Sequence, residues 1–554
     1  MSDLEQEIRE LEEESRPVPQ QGSGKVRRYF LSNLFGTFVS RIFGFLREVV
    51  VGGVFGASQS TDLFVVAFTI PTLFRRVLGE DMVERALLPS FKALIEQGKK
   101  KEAWDLISRL GNLMVIVLLV AMAFCYLFAR KLVDFIAPGL DGASVAIAVK
   151  LTYIVLPFML FIGIYALLGG MLLFLEEVNA FAFSPIMLSV GVIAVVPFFS
   201  DKFGAKSLAA GFLVGGIFQA LFCVPFLYRK RLRKKYEPSY TPAIAVSGER
   251  MRIVGRETFW ITISAVAVKA VDVVDRMLAS HLPAGSISSL YFADRLNELP
   301  LAILGLTLAR AILPPLTDAA ARQDMADFTA TLIKGLRYNV LLVVPVSFLT
   351  IGLSLPIVQM IYQRGAFDVR SASMTALALS CYAAGLLGLT AYNLLTRSFS
   401  ALIHNRAAVL ISLTGMVITI GLKALLVNSS LKHGGLALAT SISFTGMSLA
   451  LLFALRRMIV NRGGDLALAA IFRPLGISLL SAAIAAAWSR LLFMLLIRAS
   501  LTSLKFHWID VNTVAALGVA ALAGIIVYGG LLAFFGISEV RTAWNGVMRR
   551  VRRR

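Results

Sequence analysis

The sequence predicts an all-α polytopic membrane protein with about 14 transmembrane helices, in which two six-helix lobes surround a central cavity and two more helices follow at the C-terminus. Three observations predict this fold. The 554 residues are 57% hydrophobic and 16% charged, so polar groups are too few to cover a soluble globule. About 14 windows hold roughly 20 predominantly apolar residues each, the length that crosses a bilayer. Several windows contain arginines, which would have to face a shared polar interior to avoid lipid.

The expected spans run from near the N-terminus to near the C-terminus. They are 29–51, 61–79, 105–128, 146–174, 181–199, 206–228, 257–280, 287–316, 332–353, 372–402, 405–427, 433–459, 468–497 and 512–536. Their even number places both termini on one side of the membrane. Lysine and arginine concentrate before span one, after spans two, six and twelve, and at the C-terminus, so the positive-inside rule predicts that this side is the cytoplasm. The loops 281–286 and 428–434 carry little charge and are expected on the outer side.

The domain boundaries follow from these spans. They are a cytoplasmic tail at 1–28, a first lobe at 29–228, a basic cytoplasmic loop at 229–256, a second lobe at 257–459, spans thirteen and fourteen at 460–540, and a basic cytoplasmic tail at 541–554. The first tail lacks the basic start and apolar core of a cleavable signal peptide, so span one is expected to act as an uncleaved insertion signal. Topology and attraction to membrane lipids explain the net charge of +21, and no nucleic-acid partner is expected.

A short internal repeat supports the division into lobes. The sequence ERALLP at Glu84–Pro89 recurs as ARAILP at Ala309–Pro314, at equivalent positions relative to spans two and eight. Transporters built from duplicated lobes bind their substrate between them, near the middle of the membrane. The repeat therefore favours a binding site between the lobes.

Arginines at bilayer depth are the candidate binding residues. A guanidinium at a helix centre costs roughly 2.5–3.5 kcal/mol, and it recognises phosphate through two parallel hydrogen bonds. The candidates for binding are Arg41, Arg47, Arg75 and Arg295, and the candidates for supporting them are Asp62, Arg76, Glu80, Asp294 and Glu298. The alternative is that these residues form buried structural ion pairs, with Arg295 and Glu298 three residues apart on one helix face. Arg75 and Arg76 have the further alternative of reaching the membrane surface.

Other kinds of site find no support in the sequence. The phosphate-binding loop G-x-x-x-x-G-K-[ST] is absent, and no catalytic arrangement stands out, so we expect a transporter without a cofactor, driven by the membrane potential or an ion gradient. The three cysteines and four histidines have no metal-binding or disulfide spacing. Candidate cation-coupling residues are Asp272, Asp275 and Asn393. The neighbouring Arg276 offers an ion pair with Asp275 as the alternative.

Three blocks of sequence resemble one known family. The stretch SRIFGFLRE at Ser40–Glu48, followed by Phe55–Ala57, Thr61–Asp62 and Pro71 through Glu80, resembles the first signature of the MurJ (MviN) lipid II flippases. The stretch YFADRL at Tyr291–Leu296, with Glu298, Pro300 and Ile312–Pro314, is similar to the second signature, and Leu431–Leu436 is similar to the start of the twelfth span. The resemblance covers nearly the whole chain.

The resemblance implies the fold of the multidrug/oligosaccharidyl-lipid/polysaccharide exporter superfamily. It implies transport of lipid II, the undecaprenyl-diphosphate-linked peptidoglycan precursor, to the periplasmic leaflet of the bacterial inner membrane by alternating access, in support of cell-wall synthesis and cell shape. Arg41, Arg47 and Arg295 match essential cavity cations, Arg75 matches a further functional residue, and 460–540 matches a groove for the lipid tail. We expect a monomer, with the peptidoglycan synthesis machinery as a further partner.

The chain departs from the family pattern at two places. Asp81, Glu84 and Arg85 follow Glu80 where the family has an uncharged helix, and Ser400–Ala407 replaces a segment with an aspartate and Thr-Pro. Sodium coupling in some relatives therefore does not carry over by resemblance alone.

The alternative functions are transport of another polyprenyl-linked glycan, drug antiport within the superfamily, and a scaffold for cell-wall synthases. An antiporter for cationic drugs would line its cavity with acids and aromatics, and a scaffold would need no central cations.

Overall fold

The structure is a computed structural model that describes residues 23–74, 88–175, 177–228, 239–242, 269–402, 405–499, 505–506, 509–537 and 539. Most of the two predicted tails and of the predicted basic loop lie outside these residues, as do Asp81, Glu84 and Arg85. The regular secondary structure of the described ranges is helical, apart from a small antiparallel ribbon in which Lys505 pairs with Asp510 and Phe506 with Ile509.

The first half of the chain forms nine described helices. They are α1 Ser23–Phe55, α2 Gln59–Phe74, α3 Leu88–Glu96, α4 Lys100–Leu127, α5 Ala129–Ile136, α6 Gly142–Val155, α7 Phe158–Phe174, α8 Val178–Phe203 and α9 Ala205–Leu227. Helix α1 packs along α8, α8 packs along α9, and α2 packs on α6. The rings of four phenylalanines contact one another where α2, α7 and α9 meet: Phe64, Phe68, Phe158 and Phe212. These helices form the first lobe.

The second half continues with helices that pack mainly on one another. They are α10 at 269–279, α11 Ser286–Pro300, a π-helical turn Leu301–Leu306, α12 Thr307–Ala321, α13 Met325–Gly352, α14 Ser354–Tyr362, α15 Val369–Ala384, α16 Leu386–Ala401, α17 Asn405–Leu426 and α18 His433–Asn461. Two aspartates cap the N-termini of helices in this lobe. Asp324 caps α13 by accepting a hydrogen bond from the Asp327 amide, and Asp368 caps α15 by accepting one from the Ser371 amide. The second of these bonds lowers the pKa of the Asp368 carboxyl.

Two long helices follow the second lobe. They are α19 Ala469–Ala499 and α20 Val511–Phe534, which pack on each other, and α19 also packs along α13. The Tyr528 hydroxyl fixes this contact, because it lies 2.6 Å from the Ser478 hydroxyl and donates to the Leu341 carbonyl at 3.1 Å. Arg337 on α13 also holds the chain just beyond α20, through Glu539 at 2.6 Å.

The polytopic all-α fold is confirmed, but the count of 14 spans is not. Ten described helical segments are long and apolar enough to cross a membrane, or eleven if α15 and α16, bent by 42°, form one span. The three expected spans missing from this set carry much of the candidate site. They are α1, which contains Arg41 and Arg47, and α2 and α10, whose described parts are short.

The two lobes meet in a tight contact that we call the seal, formed by residues 53–62 of the first lobe and residues 280–288 and 362–371 of the second. Backbone groups make much of this contact. The Ala366 amide donates to the Gly53 carbonyl at 2.9 Å, and the Ser371 hydroxyl donates to the Ala57 carbonyl at 3.4 Å. Gly285 has φ of 90°, and a Cβ there would lie 2.5 Å from the Ala57 carbonyl oxygen. Only glycine therefore fits this position without moving the lobes apart.

Candidate functional site

A cavity of about 290 Å³ lies between the lobes, below the seal. Helix α2 contributes apolar and hydroxyl side chains, including Phe68, Thr69 and Thr72. Helices α10, α11 and α15 to α18 contribute the rest of the lining. Eight charged residues line it, all from the second lobe: Asp272, Asp275, Asp294, Glu298, Lys269, Arg276, Arg295 and Lys423. The four acids balance the four bases, so the described lining is not the purely cationic surface that the arginines alone suggested.

A chain of contacts joins the two candidate arginines across the lobe boundary. Arg47 donates to Glu48 Oε1 through Nη2 at 2.6 Å and through Nε at 3.1 Å. Tyr291 of the second lobe donates its hydroxyl to Glu48 Oε2 at 2.9 Å. The Arg295 guanidinium lies over the Tyr291 ring, 5.1 Å from its centre. Glu48, which is 2% exposed, therefore connects Arg47 to the helix that carries Arg295.

Both arginines keep donors that other groups could use. A guanidinium has five N–H donors, and Arg47 directs only Nε and Nη2 at Glu48 while its charge rests over the Phe212 ring at 5.1 Å. Arg295 donates from Nη1 to Glu298 at 2.6 Å, and its buried Nε has no hydrogen-bond partner among the described residues. Arg295 and Glu298 thus form the predicted pair, without using the whole guanidinium.

The remaining candidates fall in different places. Arg41 lies on an exposed face of α1, away from the buried side of Arg47, as a separation of six residues on a helix requires. Asp294 lines the cavity beside Arg295. Arg75, Arg76 and Glu80 lie outside the described residues.

Asp62 belongs to the seal rather than to the cavity. Its carboxylate accepts hydrogen bonds at 2.6 Å from the Gly285 amide, the Ser288 amide and the Ser288 hydroxyl. Because α11 begins at Ser286, Asp62 of the first lobe caps the N-terminus of a helix in the second lobe. These hydrogen bonds join the two lobes at this end.

The three residues proposed for cation coupling have different surroundings. Asp272 and Asp275 both line the cavity, whereas Asn393 does not, although its neighbour Tyr392 does. Lys269 Nζ lies 2.5 Å from Asp272 Oδ2, and Lys423 Nζ lies 2.7 Å from Asp275 Oδ1. The expected pairing of Arg276 with Asp275 is not the one that forms, because Arg276 donates to the Asp272 backbone carbonyl at 2.7 Å.

Sequence reasoning overlooked two residues of this site. Lys423 is the only charged residue between Arg406 and Lys432. A single charge inside an apolar span could therefore have identified it as a candidate site residue. Glu48 was noticed only as an acid near the arginines, because adjacent helix residues do not normally face each other. No group of three or more His, Cys, Asp or Glu side chains in the described ranges could hold a metal ion.

Comparison with known proteins identifies the family. The family model described as "Lipid II flippase MurJ" matches residues 51–504. The chain belongs to the MurJ family. It is 31% identical to the probable lipid II flippase MurJ of Rickettsia prowazekii over 417 residues, which are 74% of this chain and 80% of that protein. It is 30% identical to the lipid II flippase MurJ of Burkholderia cenocepacia over 432 residues, 76% of this chain and 82% of that one.

Solved structures agree on the fold. The chain superposes on a lipid II flippase MurJ in an inward closed conformation with a TM-score of 0.71 and 22% identity, covering 91% of this chain and 98% of that one. It superposes on an inward-facing multidrug MATE transporter of the MOP superfamily with a TM-score of 0.64 and 14% identity, covering 78% of this chain and 98% of that one. The expected superfamily fold is confirmed. The protein is a multi-pass membrane protein of a transporter family.

Proposed function

We propose that this protein moves lipid II from the cytoplasmic to the periplasmic leaflet of the bacterial inner membrane by alternating access, without acting as an enzyme. The observation that carries the proposal is the contact chain from Arg47 through Glu48 and Tyr291 to Arg295. It brings two guanidinium groups, one from each lobe, to the lobe boundary in a member of the MurJ family. Their remaining donors suit the diphosphate of a polyprenyl-linked substrate.

The binding step would exchange protein contacts for substrate contacts. A diphosphate that approaches Arg47 and Arg295 competes with Glu48 and Glu298 for the same guanidinium groups. The described cavity of about 290 Å³ lies at the lower end of the roughly 300–1,000 Å³ range of pockets for drug-sized ligands. A lipid headgroup would therefore need the cavity to widen on the side away from the seal, and Arg41 on the exposed face of α1 would meet it first.

The direction of transport depends on the orientation in the membrane. The positive-inside rule assigns the loop 281–286 to the periplasm and both termini to the cytoplasm, so the seal faces the periplasm. The described conformation would then be closed toward the periplasm, and substrate would enter from the cytoplasmic side once the cavity widens there. Breaking the seal would release substrate outward, along the groove beside α19 and α20 that would hold the lipid tail.

The membrane potential is our candidate for the driving force. Moving a negative charge outward across an inside-negative membrane is favourable by about 2.3 kcal/mol per charge per 100 mV. Collapsing the potential at constant sodium and pH gradients should slow export. Unchanged export under these conditions would favour an ion gradient as the source of energy.

Replacement of the endogenous flippase tests the function itself. Cells depleted of their lipid II flippase should grow when this chain is produced, and an impermeant enzyme that cleaves lipid II should reach its substrate in spheroplasts made from them. Growth without exported lipid II, or no growth despite normal membrane accumulation, would refute the proposal. Export of another polyprenyl-linked glycan, measured in the same spheroplasts, would identify the alternative cargo.

A further inference from the structure

We propose that Lys423 is a tethered cation that neutralises Asp275 in place of a cation from solution. Lys423 lies in the last turn of α17 and is 0% exposed. A lysine near the end of a span normally extends its ammonium group to the membrane surface. This one is directed into the cavity lining instead, where its Nζ lies 2.7 Å from Asp275 Oδ1.

The position of Asp275 is one that a coupling ion would use. Acids buried between the helices of a transporter are the usual sites at which Na⁺ or H⁺ binds and moves with the transport cycle. The Lys423 ammonium occupies that position beside Asp275 and remains attached to the protein. A fixed charge cannot dissociate at one membrane face and rebind at the other, so it removes any need for an ion from solution.

Two other acids of the cavity lining follow the same pattern. Asp272 contacts Lys269 at 2.5 Å, and Glu298 contacts Arg295 at 2.6 Å. A covalently attached cation acts at a high effective concentration, and an ion from solution would have to displace it. The charges that line the cavity are therefore balanced within the protein, and transport should not depend on Na⁺.

Removing the tethered charge should create an ion requirement that the natural protein lacks. Lys423→Met keeps most of the length of the side chain and leaves Asp275 without a cation. The purified wild-type protein should have the same Tm in NaCl and in choline chloride at equal ionic strength. Lys423→Met should gain stability in NaCl, and Lys423→Met/Asp275→Asn should lose that gain. Lys269→Met is the matched control, because its partner Asp272 is half-exposed and should not require bound Na⁺.

Transport provides a second readout, which rests on the proposed function. Export by Lys423→Met should fall about tenfold when Na⁺ is replaced by choline, equivalent to about 1.4 kcal/mol in the barrier. Export by the wild-type protein and by the double variant should not change. The Tm measurement needs no lipid substrate, so it decides the cation question even if lipid II proves not to be the cargo.

Two results would overturn the inference. The first is Na⁺-dependent stabilisation of the wild-type protein that Asp275→Asn abolishes, because Asp275 would then bind an ion from solution despite Lys423. The second is a Lys423→Met protein that folds but gains no stability from Na⁺, because Lys423 and Asp275 would then form a structural pair only. Lys423→Ala, which leaves more room for an ion, repeats the measurement should Lys423→Met fail to accumulate.

Discussion

Charged groups within the second lobe pair with one another, whereas the buried acids of the first lobe reach across to the second. Lys423 and Asp275 belong to helices of one lobe, but Glu48 accepts from Tyr291 and Asp62 accepts from Gly285 and Ser288 in the other lobe. A rigid-body motion of the lobes keeps the first kind of contact and breaks the second kind. Within-lobe pairs therefore control the stability of the fold, and cross-lobe contacts control the conformational equilibrium.

The largest effect on export should come from the three candidate arginines. We expect Arg47→Ala, Arg295→Ala and Arg41→Ala each to lower export about 100-fold, equivalent to about 2.7 kcal/mol of lost charge-assisted hydrogen bonding to a diphosphate. Arg→Lys should recover part of the activity, since lysine lacks the bidentate fork. The measurement is lipid II export in flippase-depleted spheroplasts at equal membrane protein levels.

An exposed arginine that does not line the cavity supplies the control for this experiment. Arg130 lies near the start of α5, and Arg130→Ala should export normally. A boundary-arginine variant that accumulates and exports at the wild-type rate would remove that arginine from the binding site.

Breaking a within-lobe pair should reduce stability most where the pair is buried. Asp275→Asn leaves the Lys423 charge buried without its partner, which should cost about 3–5 kcal/mol of unfolding free energy. Asp272→Asn affects a half-exposed pair and should cost at most about 1 kcal/mol. Thermal unfolding of the purified proteins measures both, and Lys423→Met/Asp275→Asn should regain most of the loss because both charges are gone. Equal destabilisation by the two single variants would contradict the distinction between buried and exposed pairs.

Weakening a cross-lobe contact should change opening rather than stability. Asp62→Asn removes the negative charge that accepts three hydrogen bonds from the start of α11, so the seal should open more often. Ser286 is 1% exposed in the seal, and a cysteine there should react with an impermeant thiol reagent only when the seal opens. We expect labelling of Ser286→Cys to become about tenfold faster in the Asp62→Asn background, as expected for about 1.4 kcal/mol.

The neighbouring residue Ala284 provides the control for the opening measurement. Ala284 is exposed, so Ala284→Cys should label at the same rate with and without the Asp62→Asn substitution. Faster labelling of both cysteines would indicate general loosening instead of opening of the seal.

The smallest effect on export should come from the cysteine substitutions that test which side of the membrane each loop faces. Ser239 and Ala284 are both exposed, and all three native cysteines are buried. In a background without the native cysteines, Ser239→Cys should label from the cytoplasmic side and Ala284→Cys from the periplasmic side, with export nearly unchanged. Labelling of both from one side would contradict the topology.

The sequence was sufficient to predict the helical membrane fold because apolar length is a local property. It did not predict which charged side chains pair, since Lys423 and Asp275 lie far apart in the chain and only the packing of the helices shows that they meet. Arg276 was the natural partner to expect for Asp275, but its side chain turns back to the preceding helical turn. The role of Asp62 was equally hidden, because the helix that it caps belongs to the other lobe.

The backbone groups that form the seal affect how readily the seal can open. Its hydrogen bonds involve carbonyl and amide groups at Gly53, Ala57, Gly285 and Ala366, which water can solvate as soon as the lobes part. Exchanging such a bond for one to water costs only about 0.5–1.5 kcal/mol, whereas exposing an apolar surface costs about 25 cal/mol for every Å². Glycine allows the two backbones to pack closely in the closed seal, and hydration of the exposed amide and carbonyl groups offsets part of the cost of opening. A seal of this kind can close tightly and still reopen in every transport cycle.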